Sequence, residues 1–379
     1  MSIRLRELHA AGQSVWLDYI DRAMLRNGAL ERLIRDDALM GMTSNPTIFE
    51  KALAEGKEYD EQIGAVTGDL TPWQLFELVE TDDVRAACDL FAGVYRESKG
   101  VDGFVSIEVS PGVANDAAAT VEEAHRLWKT VDRPNVMVKV PGTTEGAKAV
   151  RRLIADGINV NVTLLFSTDA HSRVIEAYLE GLEDRLAAGH PIDAIASVAS
   201  FFVSRVDTEI DKRLDAIAAS APEALRDGIL ALRGRAAVAN ARLAYRLFAQ
   251  KFAGDRWERL RANGARVQRP LWASTSSKNP AYRDVLYVET LIGPDTVNTM
   301  PPATMQAFRD HGVTARTVDT EWTAAEQLFH DLEQSGVHLR EVTDKLLVEG
   351  LASFQKSFDT LIQGLERKAA ALGTSLVKA

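Results

Sequence analysis

Only one of the 379 residues is a cysteine, Cys88, so an intrachain disulfide and a multi-cysteine metal site are both excluded. It falls within a helical pattern at 84–94, where a lone cysteine is expected to pack as a small buried hydrophobe. The seven histidines are scattered, with no His-Glu-x-x-His and no close pair, so no metal site is expected. Surface or helix-cap positions are the expectation for them. No apolar run approaches the roughly 20 residues needed to span a bilayer. The first nine residues alternate charged and apolar side chains without a secretory hydrophobic stretch. The expectation is a cytoplasmic protein with no membrane partner. Positive charge is in deficit too: 44 Lys and Arg stand against 54 Asp and Glu, a net charge of −10. That balance argues against nucleic-acid binding and means that an anionic substrate must find its positive contacts locally. No G-x-G-x-x-G opens a first helix, which weakens a dinucleotide reading. Internal repeats, low-complexity tracts and Pro/Ser-rich linkers are absent as well.

What the chain does have is alternation. Short β-branched and apolar runs read as strands at 14–19, 39–44, 104–109, 136–140, 158–164, 195–201, 271–275 and 296–300. Helical periodicity fills the intervals, as at 73–95, 117–129, 144–155 and 168–188. Strand-helix alternation on this scale predicts right-handed βαβ units and a parallel sheet. About eight such units give the expected fold class: α/β, a single (β/α)8 barrel over residues 1–379, with an open doubly wound sheet as the alternative. Helical decorations are expected at about 207–266 and 303–379, the latter with patterns at 324–334, 338–350 and 352–371. The arginines at 233, 235, 242 and 246 are spaced by acidic and apolar residues, which suggests a solvated helix face.

Barrel active sites draw residues from several strand ends on the carboxyl face. Here those ends carry Asp18; Thr43, Ser44 and Asn45; Glu108; Lys139; Asn159, Asn161 and Thr163; Ser200, Phe202, Ser204 and Arg205; and Ser274, Thr275 and Lys278. Lys139 is the informative one. It lies inside N-V-M-V-K-V-P-G, a run that reads as a fully buried strand. Burial disfavours an ammonium, and a lysine kept partly neutral is a nucleophile for carbonyl carbon. Each residue alone also has a structural reading: Asp18 as a helix cap, Asn45-Pro46 as a turn, Glu108 as an ion-pair partner of Lys139. Together they supply two carboxylates, one amine and a ring of amides and hydroxyls. Amine attack on a ketone, dehydration to an iminium and carbon–carbon cleavage need those groups, and no metal, because the iminium is the electron sink.

The segments G-M-T-S-N-P-T-I-F at 41–49, V-M-V-K-V-P-G-T at 136–143 and I-N-V-N-V-T-L-L-F-S at 158–167 resemble the signature segments of transaldolases, in order and spacing from Asp18 to Lys278. L-W-A-S-T-S-S-K-N-P at 271–280 resembles the longer bacterial subgroup in particular. The resemblance implies a class I aldolase-type transferase of the pentose phosphate pathway, without cofactor, acting on phosphorylated ketose and aldose substrates; a homo-oligomer is left open. It implies Lys139 as the Schiff-base lysine, Glu108 with a water as dehydration acid/base, Thr163 positioning that water, and Asp18 as the base in cleavage. Asn45 and Asn161, with Thr43 beside them, would hold the dihydroxyacetone hydroxyls. Ser200, Phe202, Arg205, Ser274 and Lys278 would form the phosphate end. Here the chain departs from the pattern, since Lys278 stands further along where many members carry a second arginine. A fructose 6-phosphate aldolase and a silent sugar-phosphate-binding barrel are the alternatives.

Overall fold

The eight runs are mostly apolar, and each forms a short strand: β1 (Gln13–Asp18), β2 (Leu39–Thr43), β3 (Phe104–Glu108), β4 (Val136–Pro141), β5 (Val160–Leu165), β6 (Ser197–Phe202), β7 (Arg269–Ala273) and β8 (Thr296–Met300). In the computed structural model, which describes residues 3–66, 68 and 70–377, they close into an all-parallel barrel in sequence order, β8 pairing with β1. The chain is therefore a (β/α)8 barrel, and the open-sheet alternative is excluded. Strands buried on both faces read as near-continuous apolar runs, because helices cover the outside while side chains fill the inside. Gly41 of β2 shows how tight the filling is: a Cβ there would lie 2.6 Å from Cε2 of the Trp16 indole.

The amino end of the barrel is closed by a buried polar cluster. Asp102 receives Ser14 Oγ at 2.7 Å and Arg269 Nη1 at 3.1 Å, while Arg269 Nη2 reaches Ser14 Oγ at 2.6 Å and the Thr296 carbonyl at 2.8 Å. The Arg269 and Asp102 side chains are 10% and 4% exposed. An ion pair this deep has a large desolvation cost to offset; both terminal nitrogens of Arg269 are hydrogen-bonded, while its Nε has no partner among the described residues.

Helices Pro72–Glu97, Ala117–Val131, Thr144–Asp156 and Thr168–Ala187 occupy the predicted intervals. The 207–266 region holds most of Ser204–Ser220 together with Glu223–Leu230, Ala236–Lys251 and Gly254–Ala262. After β8 come Pro302–His311, Trp322–Gln334 and Leu339–Ala371. The last is one continuous helix of 33 residues where the sequence suggested two. Gly350 does not break it; it is buried, and a Cβ there would stand 3.0 Å from the Leu164 side chain. The glycine thus lets the helix lie close against the rim.

Three expectations need correction. His171, on helix Thr168–Ala187, is fully buried against Phe201, with neither ring nitrogen hydrogen-bonded among the described residues. Asn159 does not face the carboxyl rim. It precedes β5, donates to the Pro134 and Val136 carbonyls, and accepts from Ala196 N–H, so it ties strands together at the far end. Arg242 and Arg246 are not a solvated face: they clamp helix Ala236–Lys251 to Glu321 and Glu326 at the next helical layer.

Candidate active site

At the carboxyl end of the barrel lies a cavity of about 400 Å³. Strand register sets its floor. Glu108 lies opposite Lys139, and Lys139 opposite Asn161, so three adjacent strands present them in one layer. On the other side Asp18 lies opposite Thr43. Every residue to which the family resemblance gives a role lines this cavity except Glu108 and Asn161, which lie on either side of Lys139 on the neighbouring strands.

Lys139 Nζ donates to Glu108 Oε2 at 3.0 Å and to the Ser44 carbonyl at 2.9 Å. Both side chains are almost fully buried. Burial pushes the Glu108 carboxyl above its ordinary value, against the pull of the Lys139 charge and hydrogen bond. Its second oxygen, Oε1, is buried and has no hydrogen-bond partner among the described residues; the same holds for Thr163 Oγ1. Asp18 is also pushed up by burial, opposed by Lys139, by the Thr43 hydrogen bond, and by Lys278 and Arg205. Thr43 Oγ1 donates to Asp18 Oδ1 at 2.8 Å and lies 2.8 Å from Thr299 Oγ1. Two carboxyls that hold protons more readily than usual flank one amine, which is the equipment for moving protons around a bound carbonyl.

The amides and hydroxyls have local structural ties as well. Asn45 caps helix Pro46–Glu55, its Oδ1 accepting Ile48 N–H at 3.1 Å, with Pro46 at the first helical position. Its amide is thereby fixed on the cavity wall. Asn161 bridges Ser106 and Ser200 across the barrel at 3.0 and 2.7 Å. Ser274 adopts a left-handed backbone (φ 54°) just past β7, and its hydroxyl lies 3.0 Å from that of Ser204. Leu164 is likewise left-handed (φ 59°), where the β5–β6 register shifts. Non-glycine residues held there carry strain that the surrounding structure must sustain.

The opposite wall is positive. Arg205 stacks over the Phe202 ring, its guanidinium carbon 5.3 Å from the centroid. Lys278 Nζ donates to Ser276 Oγ at 2.8 Å. Burial, with the Arg205 and Lys51 charges nearby, holds the Lys278 ammonium below its ordinary value.

A sequence model of the Transaldolase/Fructose-6-phosphate aldolase family matches residues 15–365. The chain belongs to this family. Within the transaldolase/fructose-6-phosphate aldolase family its relatives include the Transaldolase of Mycolicibacterium smegmatis, 49% identical over 368 residues, which are 96% of each chain. Transaldolase 2 of a Nostoc species is 46% identical over 369 residues, 96% of this chain and 97% of the relative. The Transaldolase of Frankia alni is 46% identical over 377 residues, 99% of this chain and all of the relative.

Some members of the cavity escaped the sequence reading. Lys51 and Phe354 project from helices, and Thr299 belongs to β8. Lys51 was the findable one, since Thr47, Ile48 and Lys51 share the face of the helix that Asn45 begins. Phe354 comes from helix Leu339–Ala371, and nothing local in the sequence tells where that helix docks.

Proposed function

We propose that the chain is a transaldolase that moves a dihydroxyacetone unit from sedoheptulose 7-phosphate to glyceraldehyde 3-phosphate, giving erythrose 4-phosphate and fructose 6-phosphate, through a Schiff base on Lys139. The observation that carries this is the buried Lys139–Glu108 contact of 3.0 Å at the floor of a cavity that Asp18 and Arg205 also line.

In the proposed sequence the neutral Lys139 amine attacks C2 of the ketose, after Glu108 takes its proton. The carbinolamine hydroxyl leaves as water. Glu108 Oε1 and Thr163 Oγ1, both free of protein partners among the described residues, are the groups to hold a water that relays this proton. Asp18 then removes the C4 hydroxyl proton, the C3–C4 bond breaks, and its electron pair moves into the iminium to give an enamine. The aldose leaves. Thr43 keeps the Asp18 carboxyl in place through its 2.8 Å hydrogen bond. Asn45 and Asn161 are assigned to the dihydroxyacetone hydroxyls. An acceptor aldehyde takes up the enamine carbon, and hydrolysis of the new iminium frees the product and Lys139. Arg205, whose planar fork suits phosphate, and Lys278 anchor the far end, with Ser200, Phe202 and Ser274 shaping it.

Borohydride reduction in the presence of fructose 6-phosphate, followed by peptide mapping, tests the reading. A dihydroxyacetone-sized adduct on Lys139 is expected. Absence of label in a folded protein that still binds the ketose would leave a sugar-phosphate binder. Release of free dihydroxyacetone without an acceptor, at a rate matching transfer, would favour an aldolase.

A further inference from the structure

We propose that Lys51 is a third phosphate-binding cation of this site and a determinant of its preference for phosphorylated sugars. The inference rests on the Schiff-base transfer reading above and extends it to a residue outside the strand ends. Lys51 stands on helix Pro46–Glu55, on the same wall-forming face as Thr47 and Ile48.

Three observations converge on it. First, the charges around the cavity are unusual for this chain. Acidic residues outnumber basic ones, and most arginines on the outer helices are ion-paired, as in Arg126–Glu77, Arg151–Asp184 and Arg256–Glu183. Arg205, Lys278 and Lys51 line one cavity, and none of them forms an ion pair among the described residues. Asp18 lines the same cavity and is felt by Arg205 and Lys278, but three cations against one carboxylate leave an excess of like charge that a bound anion would relieve.

Second, the hydroxyls at the phosphate end are already engaged, Ser200 with Asn161 and Ser274 with Ser204. Recognition therefore leans on the cations. A phosphate dianion presents three terminal oxygens. One guanidinium fork covers two of them, leaving the third to ammonium groups.

Third, the helix that carries Lys51 is held firmly. Asn45 caps its start, Thr47 Oγ1 donates to Ser357 Oγ at 2.8 Å, and Lys368 Nζ donates to the Leu53 and Gly56 carbonyls near its end. An exposed lysine on a loose helix is a solvated surface group. Lys51 is exposed too, but it stands on the wall of a cavity, on a helix tied at both ends, and its charge is close enough to depress the Lys278 ammonium. Flexible ammonium stems also suit an enzyme whose phosphorylated ligands differ in length, because the two lysines can follow a phosphate that Arg205 meets at different depths.

Lys51→Met, Lys51→Arg and a control, Lys148→Met, on the far helix Thr144–Asp156, test this. In Lys51→Met the concentration of fructose 6-phosphate giving half-maximal borohydride labelling of Lys139, and the KM, are expected to rise about tenfold, the size of one charged hydrogen bond. The kcat stays within about twofold, values for unphosphorylated fructose do not change, and Lys51→Arg recovers most of the loss. Lys148→Met behaves as wild type. An unchanged half-labelling concentration in Lys51→Met, or an equal loss with fructose, overturns the assignment while leaving the transaldolase reading intact. If wild-type Lys139 is never labelled, the transaldolase reading fails. Thermal stabilisation by inorganic phosphate then decides the role of Lys51 alone. A roughly tenfold higher phosphate requirement in Lys51→Met supports it, and identical titrations refute it.

Discussion

His171 gives the protein a measurable acid sensitivity. Its ring is fully buried near the start of helix Thr168–Ala187, beside Phe201, and both nitrogens lack hydrogen bonds among the described residues. Burial lowers its pKa from the ordinary 6.5 to about 4, and the positive end of a helix dipole disfavours an imidazolium further. A histidine whose folded value lies below its unfolded value costs nothing well above pH 6.5. As pH falls through the window from 6.5 to about 4, the unfolded chain takes up the proton first, and stability drains away. At pH 4.5 the unfolded state gains about 2.7 kcal/mol and the folded state a few tenths, a net loss of about 2.5 kcal/mol. Against a typical total of about 5–15 kcal/mol this is large. Glu80 and Asp207 run the other way: burial raises both carboxyls, Asp207 to about 6, so their contributions improve as pH falls. The wild-type profile alone therefore does not isolate His171. The comparison is with His171→Leu, close in volume and unable to ionise. Urea unfolding at pH 7.5 and 4.5 should show the wild type losing about 2.5 kcal/mol more than the variant over that interval. Parallel losses in the two proteins would refute the reasoning, and would mean that the imidazole finds a proton acceptor or water inside the fold.

Other outcomes follow from the site and the barrel floor. Asp18→Asn should cut transfer by about 10²–10⁴-fold yet leave borohydride labelling of Lys139 by dihydroxyacetone, because only bond cleavage needs the base; loss of labelling would place Asp18 in Schiff-base formation instead. Lys278 helps hold the Asp18 carboxyl down, so Lys278→Met should move the acid limb of kcat/KM to higher pH, and an unmoved limb would remove Asp18 from the rate-controlling ionisation. Arg205→Ala should raise KM for phosphorylated ketoses by about 10–100-fold and hardly affect unphosphorylated ones, and equal effects on both would exclude it from the phosphate site. Asp102→Ala leaves the Arg269 charge buried without its partner and should cost about 3–5 kcal/mol in urea unfolding; a loss under about 1 kcal/mol would show that the cluster is wetter than its exposure implies.

The barrel was legible because a parallel strand covered on both sides must be apolar throughout. A polar residue within such a run is therefore conspicuous, which is why Lys139, Glu108, Asp18 and Thr163 could be picked out from one sequence. Strand register then carried them to one end without further information. Helix contributions were harder to read. Periodicity tells which face of a helix is buried but not what lies against it, so Lys51 and Phe354 read as ordinary amphipathic residues. The same ambiguity concealed His171 and the docking of Arg242 and Arg246 on the outer layer. Asn159 was misplaced for a different reason. Alternation along β5 gives the side of the strand, whereas distance from the carboxyl rim depends on where pairing begins, at Val160.

Helix Leu339–Ala371 contributes Phe354 to the cavity and braces the helix bearing Lys51. During synthesis it leaves the ribosome after every strand, roughly 200 residues behind Lys139 and, at about 5–20 residues per second, some 10–40 s later. A nascent chain can thus have all eight strands, Lys139 included, before the helix that contributes Phe354 to the cavity. For that interval the cavity lacks the wall that Phe354 supplies, and only the arrival of the final helix gives the pocket its finished shape.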